Sequence, residues 1–120
     1  MSHDERSAAL AEIGAELAAR GYVTRQAPYF ANNGIVAFSQ PVATWIDTPR
    51  GRQAIDVIER SVALYATEGR FEARVTQHGG PHWVKAADTP EELQALALDA
   101  LEALEIPPAG WLLEPGWSRG

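Results

Sequence analysis

Two imidazoles stand four residues apart in His78-Gly79-Gly80-Pro81-His82, and imidazole is the side chain best suited to proton transfer and metal ligation near neutral pH. A metal would need more than this pair. Zinc takes three or four protein ligands, and the carboxylates nearest in the chain are Glu72 and Asp88. A four-residue spacing brings both rings to one side only on a helix, and Gly-Gly-Pro disfavours one. His78 and His82 therefore support an enzymatic or metal-binding reading only as an alternative; a hairpin loop with polar shoulders accounts for the same residues.

A second group is Tyr65, Arg70, Arg74, Trp83 and Lys85, with Arg25 and Arg52 nearby in the expected sheet. Aromatic rings interleaved with bases on an open sheet can stack single-stranded bases and hold phosphates. The expected register sets Arg74 opposite Lys85, an unfavourable like-charge pair unless an anion or Glu72 relieves it. The same residues also make an ordinary solvated face, with Trp83 lying over arginine stems.

The third group is apolar. Trp111, Leu112, Leu113 and Trp117 lie in a Pro- and Gly-rich stretch, 107–120, that holds two of the four tryptophans. Such a stretch either folds back over the core or a sheet edge, or anchors on another chain.

Motifs with a fixed catalytic spacing are lacking: there is no Gly-x-Ser-x-Gly elbow, phosphate-binding loop, dinucleotide fingerprint or His-Glu-x-x-His helix. The carboxylate pairs Asp4-Glu5 and Glu91-Glu92 fall at helix starts, where capping and the helix dipole account for them. Cysteine is absent, which excludes a disulfide scaffold and thiol chemistry. No catalytic residue and no cofactor is expected.

The elements that must carry these groups read from periodicity. Asp4 to Arg20 repeats Leu10, Ile13 and Leu17 at helical spacing, with Ser7 or Asp4 as cap and Gly21 as the terminating glycine. Tyr22–Phe30 and Ile35–Gln40 flank Asn33-Gly34, a type I′ turn signal. Pro28 and Pro41 send that hairpin toward a sheet edge or require a bulge in it. Val42–Asp47 and a strand from Arg52 flank Thr48-Pro49-Arg50-Gly51, which suits a type I turn with a glycine bulge. Residues 52–60 are open to a strand or a short helix, since Ile55, Ile58, Val62 and Tyr65 also keep helical spacing.

From Ser61 the alternation is stricter. A turn at Glu68-Gly69 pairs Thr67 with Arg70, Ala66 with Phe71, Leu64 with Ala73 and Val62 with Val75. A four-residue loop, His78–Pro81, then sets Val75 against Val84, Ala73 against Ala86 and Thr76 against Trp83. Thr89, Pro90 and Glu92 form a capping box ahead of a stripe of Leu93, Leu96, Ala97, Ala100, Leu101 and Leu104, which Pro107-Pro108 ends.

The expected fold is α+β: an N-terminal helix, an antiparallel sheet of about five or six strands, and a C-terminal helix packed on one face of it. At 120 residues this is one domain (1–106) with a tail (107–120), large enough to bury roughly two thirds of its unfolded surface. The N-terminus lacks the pattern of a signal peptide and no apolar run could span a bilayer, so a cytoplasmic protein without membrane contact is expected. Twenty-one alanines, and nine arginines to one lysine, suggest a GC-rich bacterial genome.

The net charge of −6 is unevenly spread. Residues 88–114 hold seven acids and no base, whereas residues 20–87 hold eight bases against five acids. The acidic whole disfavours nonspecific duplex binding, and the acidic helix would complement a basic partner. The reading this supports is a small non-catalytic protein-interaction module of adaptor, chaperone or inhibitor type, with a protein partner or self-association into a homodimer. The alternatives are single-stranded nucleic acid or anion binding, and an enzyme using His78 and His82.

Overall fold

In the computed structural model, residues 2–27, 34–39, 42–57, 60–67, 70–77 and 80–114 are described. Helix α1 (His3–Ala19) is capped by Ser2, not by Asp4 or Ser7. The Ser2 hydroxyl accepts from the Glu5 amide at 3.1 Å, and the Glu5 carboxylate accepts from the Ser2 amide at 3.2 Å. Of the three candidates only Ser2 has a glutamate three residues on, so only it can close this reciprocal box. At the other end Gly21, at φ +100°, lets the amides of Gly21 and Tyr22 return to the carbonyls of Ala18 and Leu17 at 3.0 and 3.1 Å. Those bonds satisfy the last turn.

The strands are β1 (Val23–Ala27), β2 (Gly34–Phe38), β3 (Val42–Thr48), β4 (Gly51–Val57), β5 (Arg60–Thr67), β6 (Arg70–Gln77) and β7 (His82–Ala87). Helix α2 (Pro90–Glu102) and a short β8 (Leu112–Leu113) follow. Six strands form one antiparallel sheet in the order β1-β2-β5-β6-β7-β8, and β3 pairs with β4 in a separate ribbon. The expected edge position of the first hairpin holds, with β1 outermost. Its turn does not: Gly34 pairs with Ala27 as the first residue of β2, so it is no centre of a two-residue turn. The connection 28–33, with Pro28, and also Pro41 and Glu68-Gly69, lie outside the described residues.

One face of the sheet is apolar. Ile35, Ala37, Val62, Leu64, Ala66, Phe71, Ala73, Val75 and Ala87 meet Leu10, Ile13 and Leu17 of α1 and Leu93, Ala97, Ala100 and Leu101 of α2 in a single buried cluster. Helix α1 packs on β1 and β2, and α2 on β5, β6 and β7. No helix among the described residues is long and apolar enough to cross a membrane.

The β5–β6 register is the expected one, Val62 to Val75 and Leu64 to Ala73. The β6–β7 register differs by one residue: Val75 pairs with Trp83, Arg74 with Val84, Ala73 with Lys85 and Thr76 with His82. The reason lies in the turn. The Gly80 amide donates to the Gln77 carbonyl at 2.9 Å, and the Thr76 hydroxyl bridges the Gly80 and Pro81 carbonyls at 3.0 and 3.1 Å. This tightens the loop by one residue, and in a strand a one-residue slip exchanges the two faces.

Residues 51–57 are strand, which settles most of the segment left open between strand and helix. Thr89 caps α2 by accepting from the Glu92 amide at 3.1 Å, with Pro90 at the first helical position. Only half of the expected box forms, because the Glu92 carboxylate reaches the Asp88 amide at 3.5 Å instead. The helix ends at Glu102, five residues before Pro107, and Leu104 is not on the buried stripe. Arg60 accounts for the early stop: its Nη1 donates to the carbonyls of Ala100, Leu101 and Ala103 at 2.9, 3.1 and 2.7 Å. A guanidinium there satisfies the orphan carbonyls and the negative end of the helix dipole together.

Candidate interaction surface

The slipped register divides the basic and aromatic group. Tyr65, Arg70 and Arg74 lie on the helix-free face, whereas Trp83 and Lys85 pair with core residues and share the helix-bearing face. Arg74 stands opposite Val84, so the expected clash with Lys85 does not exist. The cations that remain together meet acids. Arg74 forms an ion pair with Glu114, which also receives His82 Nδ1 at 3.3 Å, and Arg70 reaches Asp88 at 3.5 Å.

Tyr65 links this network. Its hydroxyl donates to Glu72 Oε1 at 2.8 Å and accepts from Arg74 Nη2 at 3.2 Å, while the Arg74 guanidinium lies 5.3 Å from the ring centre. Burial first, and then the bond to Glu72, pushes the phenol up to about 12. A shallow hollow of about 360 Å³ opens beside these groups, with Val84 and Leu112 on its apolar side. Its chemistry is a balanced set of acids and bases, which orders the sheet surface and the segment carrying Glu114.

His82 lies on this face and its expected companion, His78, lies outside the described residues. Among the described residues no three His, Asp or Glu side chains gather where they could hold a metal ion.

The described part of the tail, residues 107–114, folds back. Trp111 is only 6 % exposed and belongs to the core cluster, and β8 adds to the sheet beside β7 with Leu113 opposite Trp83 and Leu112 opposite Val84. Gly110, at φ +89°, makes the approach: a Cβ there would stand 3.0 Å from Lys85 Nζ. What this segment offers to solvent is Leu112, 73 % exposed, and Leu113. Trp117 lies outside the described residues.

One recess was not legible as a group in the sequence. Pro81, Trp83, Leu104 and Ile106, with Gln77 and Glu105, line a cleft of about 600 Å³ beyond the end of α2. It exists because Arg60 stops the helix: the chain then leaves the helical path and Leu104 is fully exposed at the cleft's edge. Trp83 and Ile106 pack their inner sides against the core and form the floor. Glu105, from the segment 88–114 that holds acids and no base, is the acid of the cleft's lining, while Arg60 bonds to Gln77 of the same lining. The signal for it was local and small: a Leu-Glu-Ile-Pro-Pro run that continues a helical stripe past the helix.

A second exposed apolar group lies on the ribbon, where Trp45 is 60 % exposed and Ile46 and Ile55 are exposed as well. No family model, curated protein or solved structure matches this chain.

Proposed function

We propose that this chain acts by binding another protein, as a small non-catalytic interaction module of the adaptor, chaperone or inhibitor type, and that the cleft at the end of α2 receives the partner. The observation that carries this reading is the fully exposed Leu104 beside Trp83 and Ile106, within a segment rich in acids. Aliphatic and aromatic side chains at the centre of a patch supply most interface energy. Glu105 and the other acids of the segment 88–114 steer a partner and set its orientation. The occupant that fits is a protein segment presenting apolar side chains flanked by Lys or Arg.

The test compares capture from the host lysate by the wild-type chain and by Leu104→Glu. Leu104 makes no core contact, so the variant should melt at the wild-type temperature. The reading expects one protein held in stoichiometric amount by the wild type and lost by the variant. Equal retention by both, or none by the wild type, overturns it.

A further inference from the structure

The β3–β4 ribbon carries large apolar side chains in exposed surroundings. Seven residues of each strand pair from Val42↔Val57 to Thr48↔Gly51, in a sheet of their own. Its Trp45, Ile46 and Ile55 are exposed, and none belongs to the core cluster. A two-stranded ribbon is marginally stable by itself in water. Among the described residues it also carries two strand edges, on which alternate residues turn backbone N–H and C=O groups outward.

We propose that two copies of this chain associate by pairing β4 antiparallel to β4 of the second copy, centred on Ala54. The charge pattern of the strand selects this arrangement. Residues equidistant from Ala54 meet across the two-fold axis, so Arg52 stands opposite Asp56 of the second copy, and Asp56 opposite its Arg52. Opposite charges directly across an antiparallel pair are favourable. Arg52 already faces Asp47 across its own ribbon, so the pairing sets one base between two acids on each side of the axis.

The apolar residues agree with the same register. Trp45 pairs with Ala54, so the centre of one face becomes a row of Trp45, Ala54, and the second copy's Ala54 and Trp45. Two small residues between two indoles leave room for the rings to close over the joint. The Arg52 guanidinium, 5.5 Å from the Trp45 ring centre, lies on this face. Ile55 of each copy falls diagonally across the axis on the other face, within side-chain reach. Strand β3 offers no such match, since Asp47 is its one charged residue.

This inference rests on the interaction reading above and adds a partner, a second copy, on a surface separate from the cleft. A monomeric wild type would overturn the self-pairing and leave the capture test of Leu104→Glu standing, so the two fail separately.

The experiment is sedimentation velocity on the full chain at about 100 µM, a hundredfold above a micromolar dissociation constant. The wild type should sediment as a dimer. Asp56→Arg sets arginine opposite Arg52 of the other copy while its own cross-strand neighbour is Ala43, and should give a folded monomer. Arg52→Asp, which sets aspartate opposite aspartate, should also be monomeric. Mixing the two variants restores both opposite-charge pairs and should recover the dimer. A monomeric wild type, a dimeric Asp56→Arg, or a mixture that stays monomeric each overturns the proposal.

Discussion

The six-stranded sheet and the β3–β4 ribbon use the same antiparallel pairing, yet they differ in what their apolar residues touch. In the sheet, Val62, Leu64, Ala73 and Val75 are fully covered by two helices. In the ribbon, Trp45, Ile46 and Ile55 are exposed and lie outside the core cluster. Strand pairing therefore does not measure burial. A region whose strands pair with each other while large apolar side chains stay exposed is where the molecule has contact area left to offer, and the cleft at Leu104 is a second such place.

Stability measurements can break this comparison. The largest effect belongs to the sheet: Leu64→Ala opens a void in a fully buried site and should cost about 2–5 kcal/mol in urea unfolding. Ile55→Ala on the ribbon should stay within about 0.5 kcal/mol. Similar losses at both sites would mean that the ribbon is packed within its own chain.

Next comes Arg60, which joins the two kinds of region by stopping α2 where the cleft begins. Arg60→Ala removes three bonds to helix carbonyls and two to Gln77 Oε1 at 3.1 and 2.9 Å. With the side chain part-exposed, the loss should be about 1–2 kcal/mol. Hydrogen exchange should show the last turn of α2 opening first. An unchanged α2 would refute the clamp.

A smaller effect is expected on the helix-free face. Tyr65→Phe loses the bonds to Glu72 and Arg74 and should cost about 1 kcal/mol. It also has a pH signature. The unfolded phenol gives up its proton near 10, whereas the folded one holds it to about 12. Its contribution is therefore complete below pH 10 and is lost as pH rises from 10 to 12. Denaturation curves across that window should slope less steeply for Tyr65→Phe than for the wild type; parallel slopes would remove Tyr65 as the cause.

How much of this was legible in the chain follows from the kind of signal involved. The β5–β6 register was readable because two segments alternate strictly and meet at a short turn, so each constrains the other. In β7 the run His82-Trp83-Val84-Lys85-Ala86-Ala87 has two apolar residues of three in either phase. Its register was decided by Gln77, Thr76 and Gly80 in the turn, which hydropathy does not weigh. The end of α2 was misplaced for a different reason: Leu104 fits the local period, while the residue that ends the helix, Arg60, is some forty positions away. The cleft inherits that difficulty, since Pro81, Trp83, Leu104 and Ile106 come together only once the register and the helix end are known. The tail was legible as apolar, but its division into a buried Trp111 and an exposed Leu112 needed the sheet edge it joins.

The most direct test of the central claim is photo-crosslinking in the host lysate from a probe at position 104, compared with the same probe at position 12, an exposed site on α1. The account predicts that one protein is joined at position 104 and not at position 12. Equal labelling from both positions, or none from 104, would contradict it.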